Sequence, residues 1–143
     1  MTEIVLRQFL FPDDYANVLQ LWQNAGESLG VGTSDQPEEI EKKLQRDPDL
    51  FLVAGCEGCI VGTVIGGFDG RRGMIYHLAV APEYRRQGVA NRLMDEIESR
   101  LRAKGCRKAY LLVKKGNDVA KHFYDRRGWA GMESIDLFGK NLV

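Results

Sequence analysis

The amino-acid sequence predicts an α/β fold built on a mixed sheet. Three observations carry this reading. Apolar residues alternate or run in short blocks at 3–9, 50–55, 59–68, 73–80 and 108–114, as strands require. Residues 15–25, 37–47, 89–104 and 118–127 instead place apolar residues at helical spacing. The stripe at 89–104 links two strand-like blocks, 73–80 and 108–114, and a strand–helix–strand crossover makes a parallel pair.

The elements follow in order. EIVLRQF (3–9) is the first strand. Pro12-Asp13-Asp14 opens a helix with Tyr15, Val18, Leu19 and Trp22 on one side, ending near Gly26. GESLGVGTSDQ has three glycines and no period, so it is a loop. Ser34 or Asp35 is positioned to cap a second helix, PEEIEKKLQRD, whose early Glu and later Lys/Arg residues suit the helix dipole. Its thin apolar face (Ile40, Leu44) suits a surface helix. Three strands form a meander through turns at Glu57-Gly58 and Asp69-Gly70-Arg71-Arg72. Ala90, Leu93, Met94, Ile97 and Leu101 stripe the next helix, and Gly105 ends it. Asn117 caps a last helix that closes at Gly128, and the weak alternation from Trp129 to Val143 suits one or two final strands.

At 143 residues the chain fits one domain, with 44% hydrophobic and 28% charged residues, ordinary values for a globular protein. No apolar stretch approaches the ~20 residues of a membrane span, and MTEIVLRQF lacks the basic start and apolar run of a signal peptide. The expected location is the cytoplasm. Cys56 and Cys59 have CxxC spacing, but a structural zinc site takes about four ligands and no second pair follows, so Glu57-Gly58 reads as a hairpin tip. No metal is expected. Residues 1–69 hold 12 acids and 4 bases, and residues 70–143 hold 8 acids and 16 bases, a split of −8 and +8. Such a split points to partners of opposite charge, or to surface charge that merely segregates along the chain.

The stretch Tyr84 to Leu93, YRRQGVANRL, lies between a strand and a helix. A glycine loop entering a helix turns unpaired N–H groups toward one spot, and the dipole's positive end favours an anion there, commonly phosphate. Neither GxxxxGK[ST] nor a GxGxxG after the first strand is present. Arg85, Gly88 and Ala90 match [Q/R]-x-x-G-x-[G/A], and NDVAKHFYDRRGW matches N-x-x-A-x-x-x-Y-x-x-x-G-[WF]. On these two segments and the element order, the chain resembles the GNAT family of N-acetyltransferases over nearly its whole length.

The resemblance implies a single GNAT domain over 1–143. It has a mostly antiparallel sheet, a splayed parallel strand pair and helices on both faces. It implies acetyl-CoA as acyl donor, with its pyrophosphate held by N–H groups of Arg86, Gln87, Gly88, Val89 and Ala90 beside Arg85. Pantetheine then runs along Leu78, Ala79 and Val80, with Asn117 as a further contact. Tyr124 matches the family's tyrosine beside the CoA sulfur, as general acid or hydrogen-bond donor, although a buried aromatic on a helix is commonly core. The glutamate found on the splayed strands of some members has no counterpart, since Met74 and Leu112 stand there.

Alternation places Met74, Tyr76, Leu78 and Val80 on one face of their strand and Ile75, His77 and Ala79 on the other. Tyr76 is thus the expected polar group on the site face. His77, whose imidazole chemistry suits a base better, is expected to pack against a helix. A carboxylate such as Glu27 or Asp35 acting through water is the remaining route. The expected partners are acetyl-CoA and an amine acceptor, with a homodimer open as an assembly. A membrane is not expected, nor is nucleic acid, because the basic half carries no recognised binding motif. A catalytically silent acyl-CoA-binding domain is the competing class.

Overall fold

The computed structural model describes residues 3–25 and 31–143. The chain forms two compact units, Met1–Leu112 and Val113–Val143. In the first, five strands lie in chain order: β1 (Val5–Gln8), β2 (Phe51–Cys56), β3 (Cys59–Phe68), β4 (Gly73–Val80) and β5 (Ala109–Leu111). β1 to β4 pair antiparallel, and β4 and β5 pair parallel. This is the mixed sheet the sequence predicts. Cys56 pairs with Cys59 across the Glu57-Gly58 turn, both turn residues have positive φ (52° and 78°), and all three cysteines are free.

Helices α1 (Tyr15–Asn24) and α2 (Pro37–Arg46) cover one face of the sheet. Val18 and Trp22 of α1 and Ile40 of α2 pack there with Phe9, Phe51, Val53, Ile65 and Ala79. Phe9 stacks on Phe51 with ring centroids 4.2 Å apart, and Trp22 lies over Phe51 at 6.0 Å. Full burial of each such large apolar side chain contributes on the order of 1.5–3 kcal/mol. Arg7 of β1 grips Asp14, just ahead of α1, through two bonds of 2.6 and 3.0 Å, and the guanidinium holds that carboxyl below its ordinary pKa.

Helix α3 (Val89–Ala103) covers the opposite face, burying Val89, Leu93, Met94, Ile97 and Leu101. Four of the five residues of the predicted stripe are therefore buried; Ala90 is only partly so, and Val89 takes its place in the core. It ends as predicted: Gly105 takes φ 92°, and the Gly105 and Cys106 N–H groups donate to Arg102 O and Leu101 O. Close approach of α3 depends on two glycines of β3. A Cβ on Gly62 would sit 3.0 Å from Val89 Cγ1 and Leu93 Cδ1, and one on Gly66 would sit 3.0 Å from Ile97 Cγ1.

Three expectations need correction. Gln36, not Ser34 or Asp35, is the N-cap of α2, with Pro37 at its first position. Ser34 and Asp35 belong to a 3₁₀ turn, Thr33–Asp35, and the Asp35 side chain is used elsewhere. β5 spans only Ala109–Leu111, shorter than the block at 108–114. In the second unit, helix α4 (Asp118–Arg126) is the last regular element, and among the described residues no strand follows it.

Candidate active site

The loop that leads into α3 leaves β4 through a 3₁₀ turn, Pro82–Tyr84. Arg86 and Gly88 both take left-handed backbone conformations, with φ 64° and 80°. Gly88 is the N-cap of α3, and nothing lies within 4 Å of where its Cβ would stand. A left-handed residue followed at once by the right-handed Val89 turns successive N–H groups into one concavity at the positive end of a 15-residue helix. Residues 85–88 are exposed, whereas Val89 is 1% exposed. Val89 therefore offers the loop its N–H and gives its side chain to the core. Two loop side chains fold back as braces: Arg85 Nε–H donates to Val80 O at 3.2 Å, and Gln87 Nε2–H to Glu83 O at 3.2 Å.

β4 does not keep the simple alternation. His77 has φ 55°, and the pairing with β3 slips between Thr63/Ala79 and Ile65/Tyr76, so β4 carries one extra residue there. A bulge of this kind turns neighbouring side chains to one face. Tyr76 reaches toward Lys43 of α2, and the His77 ring lies 4.6 Å from that of Trp22 in α1. Tyr76, His77 and Ala79 thus share the α1–α2 face, and Leu78 and Val80 turn the other way. Packing of His77 against a helix holds; its separation from Tyr76 does not.

The bulge lies where the parallel pair parts. β5 pairs with β4 only over Gly73–Ile75, so from Tyr76 to Val80 the β4 edge has no β5 partner. Asp35 meets His77 from the turn before α2. His77 Nε2 lies 2.8 Å from Asp35 Oδ1, Oδ2 accepts from Gly32 N–H at 3.0 Å, and Tyr15 Oη donates to Asp35 O at 2.7 Å. Behind them, Trp22 Nε1–H donates to Thr63 Oγ1 at 2.9 Å, and Thr63 donates to His77 O at 3.0 Å. The carbonyl that the bulge removes from the ladder is thereby satisfied. Tyr76 has its hydroxyl pKa raised by burial and by the Asp47 carboxylate, so it stays a proton-bearing donor at neutral pH. Glu27 lies outside the described residues.

Within the second unit, Asn117 Oδ1 accepts from Ala120 N–H at 3.1 Å, the N-cap expected of it. Tyr124 packs edge-on to Phe123 and Trp129, with centroids at 5.2 and 6.2 Å. Burial pushes its hydroxyl pKa up to about 12, against a lowering by Arg127. Gly128 closes α4 with φ 89°, as predicted.

The model of the acetyltransferase (GNAT) family matches residues 15–129. The chain belongs to that family. Acetyl-CoA is the acyl donor this membership carries, and the open Gly88 loop and free β4 edge fit it. An acetyltransferase of Sodalis glossinidius is 41% identical over 131 residues, covering 92% of this chain and 91% of its own. One from Pectobacterium atrosepticum is 42% identical over the same coverage. Among solved structures, the PaiA N-acetyltransferase of Thermoplasma acidophilum in complex with coenzyme A aligns with a TM-score of 0.75. It is 18% identical and covers 87% of this chain and 88% of its own, a likeness of fold. Sequence reasoning about this GNAT chain missed the His77–Asp35 pair. Each residue was visible, but their meeting depends on a bulge that breaks the period used to place His77.

Proposed function

We propose that the protein is an N-acetyltransferase that moves an acetyl group directly from acetyl-CoA to a primary amine of a small molecule or a protein. The observation that carries this reading is the exposed loop at Gly88, open to a ligand and backed by α3. The N–H groups of Arg86 to Ala90 hold the pyrophosphate, and Arg85 and Arg86 add positive charge. The β4 edge beyond Ile75, which has no β5 partner, runs along Leu78, Ala79 and Val80 and gives the pantetheine amides backbone partners, Val80 O being shared with Arg85 Nε–H. Residues 1–143 act as one acetyltransferase domain, since the family match runs through both units.

Acyl transfer to an amine requires a neutral nucleophile, a polarised carbonyl and a proton for the leaving thiolate. Tyr124 supplies that proton, a role supported by its place in the family motif and by a hydroxyl that holds its proton to about pH 12. Tyr76 serves as a donor on the acceptor side, and Asn117 fixes the start of α4 and contacts CoA.

The test is thiol release from acetyl-CoA across a panel of amines, with product mass, beside calorimetric binding to Gly88 variants. Gly88→Asn tolerates the left-handed backbone, whereas Gly88→Val adds strain of roughly 1–2 kcal/mol. Both put atoms into the open space over the loop and should weaken acetyl-CoA binding by about tenfold or more, or ≥1.4 kcal/mol. Unchanged binding by Gly88→Asn would place the anion site elsewhere. Binding without turnover on any amine would favour the silent acyl-CoA-binding reading.

A further inference from the structure

We propose that His77, oriented by Asp35, is the base that takes the proton from the acceptor's ammonium group. The inference rests on the acetyltransferase reading and adds to it the residue that makes the nucleophile. It starts from an outlier. A histidine at φ 55° inside a strand is held there by its surroundings, and strain of this kind collects at functional positions. The bulge turns the imidazole onto the α1–α2 face, at the point where β4 has lost its β5 partner. It therefore stands between the free strand edge and the Thr33–Asp35 turn.

Asp35 is placed to orient the imidazole. Its side chain is 6% exposed, and both its oxygens already accept hydrogen bonds, one from Gly32 N–H and one from the imidazole. A carboxylate that only accepts fixes the tautomer: Nε2 carries the hydrogen and Nδ1 keeps its lone pair. Nδ1 has no hydrogen-bond partner among the described residues, and the His77 side chain is 18% exposed. A buried carboxylate, an oriented imidazole and an available second nitrogen form the arrangement that makes histidine a base elsewhere. The other titratable groups facing it are Tyr15 of α1 and Tyr76 of its own strand, with Glu38 and Lys43 of α2 behind them. None is placed to compete for the role: both phenols have raised pKa values, and Lys43 is occupied by Asp47 and Gly66 O.

The protons balance as follows. Nδ1 takes one proton from R–NH₃⁺, leaving imidazolium and free amine. The amine lone pair forms the C–N bond as the C–S bond breaks. Tyr124 gives its proton to the thiolate, making CoA–SH, the second proton lost by nitrogen restores the Tyr124 hydroxyl, and the imidazolium returns its proton to water.

His77→Asn is the first test, because asparagine tolerates the left-handed backbone. Benzylamine, an ammonium at neutral pH, and aniline, already neutral there, serve as paired acceptors. His77→Asn should cut kcat/KM for benzylamine by about 10²–10⁴, cut it for aniline by less than about tenfold, and move the acid limb of the benzylamine profile up to the amine's own ionisation. Equal losses on both amines, or a benzylamine acid limb left where it stands in the wild type, would overturn the assignment and leave the pair as a strut. Asp35→Asn gives a readout independent of turnover. Its amide oxygen must face the Gly32 N–H, so its NH₂ faces Nε2 and the imidazole hydrogen moves to Nδ1. Ring ¹⁵N NMR should show the Nε2–H tautomer in the wild type and the Nδ1–H tautomer in Asp35→Asn. A wild type already in the Nδ1–H form refutes the proposal. Calorimetry separates the two readings: wild type that fails to bind acetyl-CoA removes both, whereas intact binding and full activity in His77→Asn removes only the base.

Discussion

Burial of the Tyr124 hydroxyl has a thermodynamic side as well as a chemical one. Its pKa is raised to about 12, so the folded state keeps a proton that the unfolded chain releases near ~10. The sign follows: this contribution is fully present below pH ~10 and is lost as pH rises toward 12. Tyr124→Phe should therefore remove part of the protein's alkaline loss of stability, read by denaturant titration between about pH 9 and 12. In the same variant kcat should fall by about 10²–10⁴ with little change in acetyl-CoA affinity, if the hydroxyl protonates the thiolate. Equal loss of binding and rate would make it a pantetheine contact. At this scale the sequence was legible where a motif or a local rule acted, as at Gly88 and at Asn117 with its cap on Ala120. It was not legible at His77, where one inserted residue reverses the face and no local residue type announces it.

Between elements, the decisive fit is that of α3 on β3. Gly62 lies under Val89, the first residue of α3, and Gly66 lies one turn-pair further along, under Ile97. A methyl group at either position over-packs the contact, at a cost of about 1–3 kcal/mol. The two costs should differ in kind. Gly62→Ala pushes on the end of α3 that carries the anion loop, so it should weaken acetyl-CoA binding as well as lower Tm. Gly66→Ala should lower Tm and leave affinity near wild type. Calorimetry with thermal melts on both variants checks this, and a matched loss of affinity would show that α3 moves as a rigid body. Elements with a strong period or clear turn residues at their ends were readable: α1, α3, α4 and the β2–β3–β4 meander. β5 was overextended because AYLLV, between Lys108 and Lys114, is a continuous apolar run, whereas pairing stops at Leu111. The tail was misread because weak alternation carries no information about a partner. Ile135, Leu137 and Phe138 are 61%, 74% and 92% exposed.

Across the whole molecule, the charge split along the sequence now has a narrower meaning. Asp35 does not attract an acceptor as a free surface carboxylate, since it is buried against His77. Arg85 and Arg86 are exposed beside Gly88, so with the pyrophosphate placed as proposed they would attract the CoA phosphates at long range. Exposed charges are screened beyond about 10 Å at 0.1 M salt. Raising the salt from about 0.05 to 0.5 M should therefore raise the KM for acetyl-CoA several-fold. The same change should leave kcat nearly constant. A salt-independent KM would mean that the backbone N–H groups alone hold the pyrophosphate. Among the described residues no helix is long and apolar enough to cross a membrane.

The contact between Trp22 and His77 gives the site its own optical reporter. An indole 4.6 Å from an imidazole loses emission when that imidazole gains a proton, because the cation accepts excited-state electron density. The chain has only two tryptophans, Trp22 and Trp129. Once Trp129 is replaced by phenylalanine, the remaining fluorescence comes from the ring against His77, and its brightness reports the histidine's protonation state without label or substrate.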